Sequence, residues 1–153
     1  MFHSRAAALS KKNYYNIGFV ADTPNGLVVA LIEGCDRKGV KEIATEAREL
    51  AAKVSAGTIS PEEMSGGCFT VSSLGGIGGT GFTPIIIAPE VAILGAGKAE
   101  IQPVWDGERF APRLIQPLSL SWSWDHRAVD GAAAARFRGY IADCLTDIRK
   151  TSL

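Results

Sequence analysis

Leu118-Ser119-Leu120-Ser121-Trp122-Ser123-Trp124-Asp125-His126-Arg127-Ala128-Val129-Asp130-Gly131 reads as a β-strand that turns into a helix. Leu118, Leu120, Trp122 and Trp124 alternate with serines, the period-two pattern of a strand with one apolar face. Continued for two residues, that period puts His126 on the same face, with Asp125 before it and Asp130 four residues after. From Gly131 the chain is alanine-rich. Phe137, Ile141, Cys144, Leu145 and Ile148 then fall on one stripe, which predicts a helix from about Gly131 to Ile148. The other histidine of the chain, His3, lies in a segment read as an amino-terminal tail, residues 1–12. His126 is therefore the first candidate for acid–base chemistry near neutral pH, weighed against the commoner role of a hydrogen-bonded structural histidine.

Upstream, Tyr14 to Val20 and Leu27 to Ile32 are β-rich runs joined by Asp22-Thr23-Pro24-Asn25-Gly26, which has the composition of a hairpin turn. Between Asp36 and Val54 the period changes: Val40, Ile43, Ala44, Ala47, Leu50, Ala51 and Val54 recur at helical spacing, and Gly57 is placed to stop the helix. Ser60-Pro61-Glu62-Glu63-Met64 carries a capping-box signature for one or two further turns. Cys68 to Leu74 and Val91 to Ala96 read as strands, Val104 to Phe110 as a hairpin turning at Asp106-Gly107, and Leu114 to Trp124 as a long strand. Between the first two, Gly76, Gly78 and Gly81 match G-x-G-x-x-G. The next residues, Phe82 to Pro89, include two prolines and a β-branched run instead of the helix a dinucleotide site needs. The glycines are read as allowing a tight excursion or a close backbone approach. The sum is a mixed α/β domain with helices against a mixed or largely antiparallel sheet, without the regular alternation of a doubly wound fold.

With 153 residues, 46% hydrophobic and 21% charged, the chain can bury one core. Sixteen basic and sixteen acidic residues cancel, and no basic stripe recommends nucleic acid. Cys35, Cys68 and Cys144 are widely spaced and odd in number, which argues for reduced thiols in a cytoplasmic or mitochondrial-matrix setting and against a disulfide framework or a zinc site. No apolar run approaches the roughly 20 residues of a membrane span.

The motifs together resemble the carboxy-terminal part of the catalytic domain of dihydrolipoamide acyltransferases, the core components of 2-oxo acid dehydrogenase complexes, with the pyruvate branch nearest. Asp125-His126-Arg127 with Asp130-Gly131 fits D-H-R-x-x-D-G, and Gly67 to Gly75, Ala88 to Gly95, Pro103 to Gly107 and Tyr14 to Val29 follow the family's order. The resemblance covers residues 13–153 as a partial catalytic domain. It implies a two-layer α/β sandwich with a mixed sheet, like chloramphenicol acetyltransferase, that forms homotrimers with interfacial active sites and assembles into cubic or icosahedral cores with the other dehydrogenase-complex components. It implies transfer of acetyl between coenzyme A and dihydrolipoamide, the lipoyl-bearing domain lying outside this sequence. By position, His126 is the general base for the thiol, Ser72 donates to the oxyanion from the neighbouring subunit, and Asp130 helps organise the site. No serine nucleophile is required, and the chain has no G-x-S-x-G elbow.

Departures from the family pattern frame an alternative, a catalytically inactive, truncated assembly module. The domain's opening portion is not represented, which leaves apolar surface to be covered. An extra aromatic–serine unit precedes Asp125-His126 and advances an extended strand by about 6.6 Å unless a bulge absorbs it. Ala30 and Ile87 stand where the family commonly has proline and asparagine.

Overall fold

The computed structural model describes residues 2–3, 8–24, 26–99, 101–113 and 119–151. Two short strands, β1 (Phe2–His3) and β2 (Ala8–Leu9), pair antiparallel at the start. Then come β3 (Ile17–Thr23), β4 (Gly26–Ile32), α1 (Val40–Ala56), β5 (Phe69–Ser73), β6 (Ala92–Ala96), β7 (Gln102–Trp105), β8 (Phe110–Arg113), β9 (Leu120–Trp124) and α2 (Gly131–Thr146). The central sheet has the order β4-β3-β5-β6-β9. Its β3–β4 and β6–β9 pairs are antiparallel, and β3–β5 and β5–β6 are parallel. This is the mixed sheet the sequence predicts.

The hairpin forms three residues later than the first β-rich run begins, because Tyr14 to Asn16 are spent on loop contacts. The Tyr15 carbonyl accepts from Cys35 N–H at 2.9 Å, and the Asn16 side-chain oxygen accepts from Gly34 N–H at 3.0 Å. Helix α1 starts where Gly39 N–H donates to the Glu42 carboxylate at 2.8 Å and stops at Gly57, whose φ of 68° is left-handed. Its apolar stripe buries Leu50 and Val54 against Ala30 and Ile32 of β4, flanked by Phe19 and Ala21 of β3. Full burial of each large side chain contributes about 1.5–3 kcal/mol. The expected capping box at the next turn is present: Ser60 N–H donates to Glu63 at 2.9 Å and Glu63 N–H to Ser60 Oγ at 3.4 Å.

Register decides which face each side chain takes. Phe19 pairs with Val71, Val71 with Leu94 and Leu94 with Trp122, so these share the face that α1 covers. Helix α2 lies on that same face, where Phe137 packs 4.6 Å from the Trp122 ring and 6.4 Å from that of Phe69. Both helices on one side give the two-layer sandwich. The opposite face carries Gly18, Thr70, Ser72, Gly95 and Ser121, and the glycine-rich segment crosses it between β5 and β6. A Cβ on Gly95 would meet Phe82 at 2.9 Å, and one on Gly97 would meet the Thr80 carbonyl at 2.7 Å. The close approaches fall at Gly95 and Gly97, whereas Gly76 and Gly78 have open space around them, Gly78 at a φ of 100°; they make the tight excursion, and no helix succeeds them before β6.

Strand β9 pairs one-for-one with β6 from Leu120 to Trp124, so no bulge absorbs the extra aromatic–serine unit there. The predicted long strand also included residues 114–118, which lie outside the described residues.

Candidate active site

Strand β9 ends at Trp124, and Asp125 N–H still donates to the Val91 carbonyl at 2.8 Å, which anchors the start of the next turn. The chain there reverses sharply: Ala128 and Val129 N–H both donate to the Asp125 carbonyl, at 2.9 and 3.1 Å. Arg127 folds back on the Asp125 carboxylate, with Nε 2.9 Å from Oδ1 and Nη2 2.6 Å from Oδ2. His126 rides on this turn, exposed, with its ring 6.4 Å from that of Trp124. Strand period alone does not carry the histidine to this point, because the strand ends before it is reached.

The hydrogen bond from the Arg127 side chain, aided by its backbone N–H, holds the Asp125 carboxyl down at about 2. The folded value lies below the ordinary 3.8, so this contribution to stability is complete above about pH 4 and is lost as pH falls toward 2. Replacing Arg127 by alanine is expected to return the Asp125 titration toward the ordinary carboxylate range. Carboxyl-carbon NMR titration reads this directly, and an unchanged midpoint would show that Arg127 does not clamp the acid.

Asp130 caps α2. Its Oδ1 accepts from Ala133 N–H at 2.8 Å, and that hydrogen bond is the main cause of its lowered pKa. Arg136 and, least, His126 add electrostatic contributions. Neither acid beside His126 is therefore hydrogen-bonded to the imidazole among the described residues: Asp125 is committed to Arg127, and Asp130 to a helix start. Asp130→Ala is expected to lower Tm by a few degrees, while Asp130→Asn, which can still cap, leaves Tm close to wild type. Thermal unfolding followed by circular dichroism distinguishes the two.

Ser72 lies in β5, half-buried, on the face away from both helices. It pairs with Gly95, and Gly95 with Ser121. His126 stands five residues beyond Ser121, and Ser72 is two strands away. At about 3.3 Å per residue and about 4.8 Å per strand, the register puts Trp124, the last residue of β9, on the order of 14 Å from Ser72, and His126 lies in the turn beyond it. One subunit does not bring them together.

No other cluster competes as a metal site: among the described residues no group of three or more His, Cys, Asp or Glu could hold a metal ion. A cavity of about 420 Å³ opens between α1 and the end of β4, lined by Glu33, Glu49 and Lys53 among others, and includes none of the candidate residues. It reflects a solvated helix face. No described helix is long and apolar enough to cross a membrane.

Comparison with known proteins decides the family. The model for the catalytic domain of 2-oxoacid dehydrogenases acyltransferase matches residues 1–153. The chain belongs to this family. It is 60% identical over 142 residues to the dihydrolipoyllysine-residue acetyltransferase component of the pyruvate dehydrogenase complex of Cupriavidus necator, covering 93% of this chain and 25% of that protein. The component from Pseudomonas aeruginosa is 57% identical, with 93% and 26% covered. The chain thus spans about a quarter of the length of these curated relatives. Two solved structures superpose with a TM-score of 0.90 at 53% identity, covering 99% of this chain and 62% of theirs. One is the cubic core of the pyruvate dehydrogenase multienzyme complex. The other is Azotobacter vinelandii dihydrolipoamide acetyltransferase, studied for the role of a serine, a histidine and an asparagine in its catalytic mechanism. This acyltransferase-family chain therefore has the chloramphenicol acetyltransferase-like architecture expected of it.

Two features of the site escape a reading of the sequence. Arg127 is visible there only as part of a motif, and its clamp on Asp125 needs the turn geometry. Thr70 on the Ser72 strand and Glu90, a hydroxyl–carboxyl pair, sit in two different motifs 20 residues apart.

Proposed function

We propose that this chain forms the catalytic part of an acetyltransferase that moves acetyl between coenzyme A and the dihydrolipoyl group of a pyruvate dehydrogenase-type complex. His126 removes the thiol proton, and Ser72 of an adjoining subunit donates a hydrogen bond to the oxyanion of the tetrahedral intermediate. The observation that carries this reading is the separation of the two groups. They lie on different parts of one fold, His126 exposed and Ser72 half-buried on the face that the glycine-rich segment crosses, and association of copies would complete a site from both. Exposed apolar side chains are available for that association, including Ile85 in the loop over the Ser72 face and Trp105 and Phe110 on the β7–β8 hairpin. A homotrimer, assembled further into a larger core, suits such a two-part site.

The spacing of the residues named for the Azotobacter protein gives further support. There the asparagine stands four residues after the histidine, as Asp130 does after His126. The serine, by contrast, precedes the histidine by two residues fewer than Ser72 precedes His126; that departure equals the extra aromatic–serine unit, which no bulge absorbs between Leu120 and Trp124, and it favours the inactive alternative. Pairing of Trp124 with Ala92 keeps β9 in register up to the turn. Asp130 organises the site through the start of α2, fixing the far end of the turn on which His126 rides.

The chemistry rests on the groups themselves. A thiol of pKa about 8.5 is only a few per cent thiolate at neutral pH, so a base at the thiol shortens the path to the nucleophile. Addition to the thioester places negative charge on oxygen, where a fixed hydroxyl donor acts most strongly. The test is transfer from acetyl-coenzyme A to dihydrolipoamide by the purified chain, with particle mass measured in parallel. Turnover by a trimer or a multiple of trimers is the expected result. A folded, silent chain would leave the assembly-module alternative in its place.

A further inference from the structure

Thr70 is completely buried, and its hydroxyl donates to Oε1 of Glu90 at 3.0 Å. The fold is shaped around this pair from two directions. At Gly18 of β3 a Cβ would lie 2.7 Å from the Thr70 hydroxyl oxygen, and at Gly67, just before β5, one would lie 2.7 Å from Glu90 Oε1. Two glycines in separate segments thus make room for one hydrogen bond. Glu90 itself stands where the segment that crosses the Ser72 face ends and leads into β6, its own N–H donating to the Ile87 carbonyl at 2.9 Å. Its second oxygen, Oε2, is buried and has no hydrogen-bond partner among the described residues. Burial raises the Glu90 pKa, opposed by the Thr70 hydrogen bond and by the Lys12 charge. Lys12 stays on the backbone side of the cluster, donating to the Gly67 carbonyl at 2.9 Å.

A half-buried acid whose second oxygen is buried and unmet is a costly way to fill space. Thr70 lies two residues before Ser72 on the same strand and the same face, and Ser72 pairs with Gly95 of the strand that Glu90 introduces. We infer that Glu90 is a positioning residue for acyl transfer: by accepting from Thr70 it locks β5 to the entry of β6 and so sets where the Ser72 hydroxyl stands. The inference rests on the proposed role of Ser72. It assigns Glu90 no contact with substrate.

The test is a double-mutant cycle on the assembled protein, measuring kcat and KM for acetyl transfer in wild type, Glu90→Leu, Ser72→Ala and the double variant. Glu90→Leu is expected to lower kcat about tenfold with KM little changed, because a shift of the donor weakens only an interaction made in the transition state. In the Ser72→Ala background the same change is expected to have no further effect on kcat, since the group being positioned is already gone. Glu90→Gln retains an oxygen that accepts from Thr70 and is expected to keep most of the activity. If the leucine variant does not assemble, Thr70→Val is taken through the same cycle with the same expected coupling. Independent, multiplicative losses, or an equal loss for Gln and Leu, would overturn the positioning role while the acyltransferase reading stands. A silent wild type would remove that reading and this one with it.

Discussion

His126→Ala is expected to lower the rate of acetyl transfer at neutral pH by about 10²–10⁴-fold, with little change in KM. In the proposed role the imidazole acts on a proton, so its loss falls on kcat. The deficit depends on pH in a defined direction. As pH rises past the thiol's ordinary pKa of about 8.5, coenzyme A and dihydrolipoamide ionise without help. The variant should therefore gain activity with pH more steeply than wild type, and the gap between them should narrow above about pH 9. A gap that stays constant across that range would mean the histidine acts structurally. The Asp125–Arg127 clamp holds the backbone turn independently of the imidazole, so the alanine variant should unfold at nearly the wild-type temperature.

Ser72→Ala is expected to cost about 10²–10³ in kcat, the loss typical of removing one fixed oxyanion donor, equivalent to about 3–4 kcal/mol. Unlike the histidine variant, it should show no narrowing with pH, because the thiol still has its base. KM should again stay close to wild type. Ser72 is half-buried within β5, and alanine there removes a single hydroxyl and leaves the strand pairing intact, so stability should change little. Steady-state kinetics on the two variants, each over a pH series, separate a proton-transfer group from a charge-stabilising one. Matching pH profiles for the two would contradict the division of roles.

Much of this arrangement is legible in the residues. The period-two run Leu120 to Trp124 and the helical period from Val40 to Val54 predict their elements because each buries one face, and burial imposes the period. Asn-Gly and Asp-Gly mark the β3–β4 and β7–β8 connections for the same local reasons, with Gly26 and Gly107 at positive φ. What the residues do not display is order across the sheet. Nothing local in Phe69 to Ser73 says that it pairs parallel with both β3 and β6, and only that pairing sends Ser72 away from the helices. The site is partly legible for the same reason. His126 and Asp130 announce themselves within one motif, yet their partners are set by a turn: Asp125 takes Arg127, Asp130 takes the helix, and the imidazole is left exposed. The Thr70–Glu90 pair is invisible until the two motifs are brought together, since a threonine in a strand and a glutamate after a proline are each ordinary alone. The stripe on α2 is less buried than its period suggests. Phe137 is 43% exposed and Leu145 57%.

The central claim is that the site is shared between subunits, and complementation tests it most directly. His126→Ala and Ser72→Ala chains are each prepared, unfolded together in equal amounts, and refolded as mixed assemblies. Wherever a subunit that retains His126 meets one that retains Ser72, an intact site forms. Random mixing should therefore restore about a quarter of wild-type acetyl transfer, far above either variant alone. Activity that stays at the level of the separate variants, in assemblies shown to be mixed, would place both groups within one chain and contradict the shared site.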